Sequence, residues 1–268
     1  MQKTIRALSI YLISPLLFLT SCSAEKPAVP AEQPHEITQQ SSDTLITHRI
    51  GDGEVVFRFQ NYRNTGGKVF IVLHDDENTG VEAMNTILKS QKSSFIELRA
   101  SGTRLIPFRL NGRSYKFDPN RIFTPAGIRK TLANNGGTSP AAEKAVAELA
   151  NRITGMLEKF DTVIAVHNNR RGYSLQDYLP GGTYARDAAD VHWVKGTSPN
   201  DFYFVVERDD FEALKAKGIN VVLQSAATVT DDGSLSVYCQ QKGIRYLNCE
   251  AYDGHLSQQI FMLESLGN

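Results

Sequence analysis

His74 and Glu77 stand three residues apart in the run His74-Asp75-Asp76-Glu77, directly after an apolar stretch at 69–73. Side chains at i and i+3 of one turn can face a single point, and an imidazole nitrogen with a carboxylate oxygen suits a zinc-class cation. His167 follows a second apolar stretch, 162–166, and Glu250 ends a third, 244–249. Three strand-like runs therefore deliver His, His and Glu at their carboxyl ends, the edge where open α/β sheets carry their sites. A catalytic zinc takes three protein ligands and keeps one position open. His74, Glu77 and His167 supply the three, which makes Zn2+ the expected cofactor. Glu250, outside that set, is the expected general base for an attacking water.

Taken singly, each residue has an ordinary reading. Asp75 and Asp76 suit a solvated loop, His167 before two asparagines suits a turn, and Glu250 suits an exposed strand end. Their convergence on one sheet edge is what favours a metal site. His35, His48, His192 and His255 lack a comparable partner pattern, and His192-Trp193 reads as packing.

Elements that could position these residues are legible along the chain. Residues 55–60 alternate and read as a first strand. The continuous apolar run 69–73 reads as a strand buried on both faces. A helix is expected over 81–92 and a strand over 95–99. Residues 104–117 suggest two extended pieces joined at Asn111-Gly112, a hairpin signal, and this hairpin argues for a mixed sheet. Ser139 can cap a long helix beginning with Pro140 and running to about Lys159. Strands are expected at 162–166 and 202–206. The last third repeats a pattern of helix, Lys-Gly-Ile and strand at 210–223 and 234–249, with Gly218 and Gly243 in the left-handed closing position. A final helix is expected over 255–266. Helices alternating with buried strands imply an α/β fold: a single domain with a mixed, mostly parallel central sheet flanked by helices. The segment 168–201 is long for a connection and suggests a loop covering substrate.

The chain has 268 residues, 41% of them hydrophobic, so a sizeable core is possible and global disorder is excluded. Lys3 and Arg6 precede an apolar run, 7–19, that contains Pro15 and is too short to span a bilayer. This reads as a secretory signal over 1–21. Its ending, Leu19-Thr20-Ser21-Cys22, resembles a bacterial lipobox, which implies lipidation of Cys22. The resemblance further implies outer-membrane export, because Ser23 rather than Asp follows. Residues 22–44, with three prolines, read as a flexible tether, leaving a catalytic domain at 45–268. Without the signal segment the chain carries 27 basic and 29 acidic residues and no basic block, which argues against nucleic acid. Three cysteines are too few for a disulfide scaffold. A bridge between Cys239 and Cys249 is feasible in an exported protein.

The motifs His74-Asp-Asp-Glu77, Phe117-Asp-Pro-Asn120-Arg121, Val166-His167-Asn168-Asn169 and Asn248-Cys-Glu250-Ala251, in that order, resemble the zinc carboxypeptidase superfamily. That superfamily includes the succinylglutamate desuccinylase and aspartoacylase-like enzymes. The likeness spans about 69–250, and the compact segment between Glu77 and Arg121 looks more like the desuccinylase branch or cell-wall peptidases than digestive enzymes. It implies that Asn120 and Arg121 hold a substrate carboxylate, a contact that suits a guanidinium fork. It also implies a second arginine that polarises the scissile carbonyl. Arg99, Arg104, Arg109 and Arg113 are available, with Arg99 favoured because it ends a strand on the same edge. An implied mobile tyrosine is open among Tyr238, Tyr246 and Tyr252.

Together these readings lead to a zinc-dependent hydrolase of the bacterial cell envelope that cleaves an amide or peptide bond. The favoured form is a carboxypeptidase acting on peptidoglycan stem peptides or other wall fragments with a free carboxylate. It would touch the membrane through its lipid anchor only, on the periplasmic side of the outer membrane. An N-acyl amino acid deacylase and a non-catalytic peptide- or wall-binding lipoprotein are the alternatives.

Overall fold

A computed structural model describes residues 43–61, 67–91 and 93–267. The expected signal segment, Cys22 and nearly all of the tether lie outside the described residues. Among the described residues no helix is long and apolar enough to cross a membrane.

The chain enters through an antiparallel pair, β1 (Thr44–Ile50) and β2 (Gly53–Gln60). β1 holds only three apolar residues, Leu45, Ile46 and Ile50, in no strand period, and is mostly exposed. β3 (Lys68–Val72) leads through Leu73 and His74 into α1 (Asn78–Ile87), and β4 (Ser94–Arg99) follows. The hairpin is β5 (Ile106–Leu110) and β6 (Arg113–Phe117). Asn111 and Gly112 at its turn have φ of 52° and 76°, the left-handed pair that a two-residue turn needs. Then come α2 (Pro125–Asn134), α3 (Pro140–Leu157), β7 (Thr162–Asn169), β8 (Ala188–His192), β9 (Phe202–Val205) and α4 (Arg208–Ala216). The chain ends with β10 (Val221–Gln224), α5 (Leu235–Lys242), β11 (Arg245–Tyr252) and α6 (Leu256–Ser265).

Nine strands form one mixed sheet in the order β1-β2-β4-β3-β7-β11-β9-β10-β8. Its centre, β4-β3-β7-β11, is parallel. The antiparallel ladders come from β1, β2, β8 and the β11–β9 pair. The 104–117 hairpin contributes none of them, since it forms a separate two-stranded sheet. Alternate side chains of the central strands feed two cores. Val69, Ile71, Val163 and Ala165 pack with α2, α3, α5 and the hairpin aromatics Phe108, Tyr115 and Phe117. Phe70, Val72, Ile164 and Val166 pack with α1, α4 and α6 on the opposite face. Each fully buried aliphatic or aromatic side chain contributes about 1.5–3 kcal/mol relative to exposure, which is why these runs lack the polar alternation of a half-exposed strand.

Caps match the sequence signals where a local side chain decides them. Ser139 accepts from Ala142 N at the start of α3, and Thr124 accepts from Gly127 N at the start of α2. Gly218 and Gly243 take φ of 68° and 66°, so both repeated units close as expected. Cys239 and Cys249 are free thiols. They belong to cores on opposite faces of the sheet, so the feasible bridge does not exist, and burial raises both thiols well above their usual range.

Candidate metal centre

His74 lies two residues past the end of β3, and Glu77 caps α1. Glu77 makes no side-chain cap bond to its own helix, because its carboxylate turns to the histidines. Glu77 Oε1 is 2.9 Å from His74 Nδ1, and Oε2 is 2.8 Å from His167 Nδ1. The two Nδ1 atoms are 3.2 Å apart. All three side chains are buried, and their donor atoms form a group able to hold a metal ion. Ligands about 2.05 Å from a zinc at tetrahedral angles lie about 3.3 Å from one another, so the observed triangle fits a cation of that size.

β7 continues past Val166, so His167, Asn168 and Asn169 are strand residues rather than a turn. His167 lies opposite Glu250 in the β7–β11 ladder, and β11 likewise runs on to Tyr252. Neighbouring strands are about 4.8 Å apart, and paired residues face the same way, so Glu250 stands beside the histidine. Asn169 and Asn248 each donate to one oxygen of Glu250, at 3.3 and 3.0 Å. Asn168 faces the other way: it accepts from Gly80 N and donates to Gln259, tying β7 to α1 and α6.

The hairpin brings in a residue that sequence reading missed. Asp118 directly follows β6, and its Oδ1 is 2.8 Å from His74 Nε2. A carboxylate there accepts from Nε2–H, which keeps that proton on Nε2 and leaves the Nδ1 lone pair for a cation, the usual second partner of a ligating histidine. Asp118 stands in the same short run as Asn120 and Arg121, but an Asp before Pro reads locally as a turn, and only the tertiary contact separates the two roles. Asn120 Nδ2 lies 3.4 Å from His167 Nε2, while its Oδ1 accepts from Leu235 N. Arg121 donates to Asn120 O at 2.6 Å and pairs through Nε with Asp232 at 3.3 Å.

Arg99 is not at this site. Its guanidinium is held by Glu97 at 2.7 and 3.2 Å, and it is absent from the cavity wall. Its backbone ends β4 as expected, but the side chain folds back along the strand onto Glu97, which also binds the buried Arg58. Arg104 occupies the place instead, 3.0 Å from Glu77 Oε1 and 3.6 Å from Asp118 Oδ2. Asp75 makes this possible by accepting from Ala100 N and Gly102 N, which pins the turn that carries Arg104.

The charges are strongly coupled. Burial pushes His74 down, but Glu77 and Asp118 outweigh it and raise the imidazole to about 9. Burial pushes Glu77 up, and His74 and His167 override it, holding the carboxyl well below its usual range. Asp118 is likewise held low, chiefly by His74 against its own burial.

Glu77, His167, Asn120, Arg121, Arg104 and Glu250 all line one cavity of about 590 Å³. Much of its wall comes from 170–187, with Tyr173, Tyr178 and Tyr184. The long connection therefore borders the site, as its length suggested. Tyr173 and Tyr178 share a 2.7 Å hydroxyl contact, and burial raises both phenols. Of the three tyrosines left open by the sequence, Tyr246 lines the cavity. Tyr238 bonds Glu158, and Tyr252 packs on His255. His255 pairs with Asp201 and does not line the cavity. Trp193 is partly exposed rather than packed.

No family model matches the chain, and neither does any curated protein. Among solved structures, the chain is similar in fold to a succinylglutamate desuccinylase from Chromobacterium violaceum, with 13% identity over 84% of this chain and 69% of that one, at a TM-score of 0.43. An aspartoacylase family protein from Mesorhizobium loti matches at 12% identity over 84% and 67% of the two chains, TM-score 0.40. A murein-tripeptide amidase from Escherichia coli O157 matches at 12% identity over 82% and 90%, TM-score 0.41.

Proposed function

We propose that this protein is a metal-dependent hydrolase of amide bonds in substrates that carry a free carboxylate. The observation that carries the reading is the convergence of His74 Nδ1, His167 Nδ1 and the Glu77 carboxylate on one point, with Glu250 paired to His167 on the next strand. His74, Glu77 and His167 hold the cation, and their nitrogen and oxygen donors suit zinc. When bound, zinc supplies Lewis acidity and lowers the pKa of water. Glu250 takes the proton of the attacking water at one oxygen and returns it to the leaving amine. Asn169 and Asn248, each on one of its oxygens, hold it in place for both transfers. Arg104, in the wall, is placed to donate to the carbonyl oxygen as it gains charge. Asn120 and Arg121 receive the substrate carboxylate, with Asp232 holding the arginine's Nε and so setting the direction of its fork.

The substrate we favour is a peptide or cell-wall fragment, peptidoglycan stem peptides first, because the amino-terminal 22 residues read as an export signal ending in a lipidated cysteine. On that basis the protein sits in the bacterial envelope, anchored at Cys22 and facing the periplasm from the outer membrane.

The test is hydrolysis of acyl-peptides with a free or an amidated carboxyl end by metal-loaded and chelated protein. The loaded enzyme should carry about one zinc per chain and cleave the acids, and chelation should abolish cleavage reversibly. Arg121→Ala should lose far more kcat/KM on acids than on amides. Equal loss on both, or full activity without metal, would remove the reading.

A further inference from the structure

The cavity wall holds two buried acceptors with nothing to accept from. Gln224 ends β10 and is 2% exposed, and Asn248 lies in β11 and is 7% exposed. Both line the cavity. Their amide orientations follow from the Ser236 backbone oxygen and the Glu250 carboxylate, partners that can only accept. Gln224 Nε2 faces the backbone oxygen of Ser236 at 3.4 Å, and also Gln240 Oε1 at 2.8 Å. Asn248 Nδ2 faces the Glu250 carboxylate at 3.0 Å. A carbonyl or carboxylate oxygen requires the nitrogen on its side, so the free ends are Gln224 Oε1 and Asn248 Oδ1. Neither has a hydrogen-bond partner among the described residues.

The strand register puts both on the catalytic face. Asn248 is opposite Phe204 in β9, and Phe204 is opposite Val222 in β10. Gln224 lies two residues further along β10, so it shares that face. Asn248 and Glu250 are likewise two residues apart, and Glu250 is paired with His167. Phe204, Val237, Tyr246, Ser234 and Ser236 line the same cavity, and the two serine hydroxyls bond one another at 3.0 Å. Leaving a buried acceptor unpaired is unfavourable, and a wall with two of them is matched by a ligand group that brings N–H donors.

We propose that this wall is a side-chain subsite of the active site that selects a substrate residue ending in N–H donors, an amine or a carboxamide, with Gln224 and Asn248 as the acceptors. This rests on the amide-hydrolase reading above and narrows its substrate class. The preferred substrate presents a carboxylate to Arg121 and an N–H-bearing side chain to Gln224. An apolar side chain of equal length would bury both acceptors unpaired, and a carboxylate would meet two oxygens. Sites built to bond a polar group reject analogues that lack it more strongly than apolar pockets reject shape changes.

The test is calorimetric titration of the full, metal-loaded chain with N-acetyl-lysine, N-acetyl-glutamine and N-acetyl-norleucine, repeated on Gln224→Met and Gln224→Glu. At least one polar ligand should bind ~10-fold or more tighter than norleucine. A lysine preference would identify an ammonium, and a glutamine preference a carboxamide. Gln224→Met should shrink the gap over norleucine, and Gln224→Glu should shift preference toward lysine. If Gln224→Met fails to fold, as its melting curve would show, the wild-type series and Gln224→Glu decide. Three equal affinities would assign the free acceptors to ordered water and overturn the proposal, as would tighter norleucine binding or no binding of any ligand. Binding is read separately from turnover, with each titrated mixture also assayed for released acetate. Discrimination without hydrolysis of the matching acyl-peptides would therefore sink the hydrolase reading and leave the subsite standing.

Discussion

Glu250 stands next to the ligand set without joining it, a position that suits proton transfer. Asn169 and Asn248 donate to its two oxygens; Glu250→Gln keeps the size of the side chain and removes the base, with one asparagine amide turning its oxygen to the new NH2. That variant should retain zinc, measured by elemental analysis, and lose a factor of ~10²–10⁴ or more in kcat. Near-normal turnover with metal bound would move the base to another group.

The ligand residues also set a pH dependence. His74, raised to about 9 in the metal-free protein from 6.5, contributes stability that is complete below pH 6.5 and lost as pH rises through 9. Glu77, depressed from 4.5, contributes stability that is complete above pH 4.5 and lost as pH falls below it. The cluster therefore stabilises the metal-free fold most between pH 4.5 and 6.5. The difference in melting temperature between chelated wild type and His74→Gln should peak in that window and shrink toward pH 9. A flat difference across the range would refute the coupling. Metal uptake should run the other way, strengthening with pH as His74 gives up its proton.

At the scale of elements, the position of Arg121, the proposed carboxylate clamp, depends on how closely two segments approach. Phe123 N donates to Gly233 O at 2.9 Å, and a Cβ built on Gly233 would lie 2.6 Å from Arg121 O. Gly127, in the first turn of α2, meets Gly233 just as closely, with a Cβ only 2.3 Å from its Cα. Gly233 also has φ of 79°, a region that costs a non-glycine residue about 1–2 kcal/mol. With the clash added, Gly233→Ala should destabilise by roughly 2–4 kcal/mol, a melting drop of roughly 5–15 °C for a domain of this size. It should also displace Asp232 from Arg121, so KM for acid substrates should rise more than kcat falls. Unchanged melting would mean that the two segments have room to separate.

At the scale of the whole molecule, β3, β7 and β11 bring the candidate site to one sheet edge, and residues flanking the separate hairpin and the 170–187 segment line its cavity. The proposed anchor places this edge in the envelope. Cys22→Ala should therefore release the protein from the membrane fraction on cell fractionation, and a variant that stays wholly membrane-bound would count against lipidation at that residue.

The central strands, the capped helix α3, the Asn111-Gly112 turn and the group His74, Glu77, His167 and Glu250 were all legible in the sequence. Each is set by a local rule: an apolar run of strand length, a Ser-Pro cap, a left-handed dipeptide, or an ionisable residue next to a buried apolar run. β1 was missed because an exposed edge strand has a weak pattern, and α2 was missed although Thr124-Pro125 marks its start. Tertiary structure alone decided which arginine joins the site. Arg99 and Arg104 are equivalent as letters, but Glu97 on the same strand captures the first, and the turn pinned by Asp75 delivers the second to Glu77. The same holds for Asp118, whose partner His74 lies 44 residues away, and for the two cysteines that the sheet keeps apart. Strand periodicity is a short-range property of the chain. The direction of a long charged side chain depends on which opposite charge the fold brings within reach.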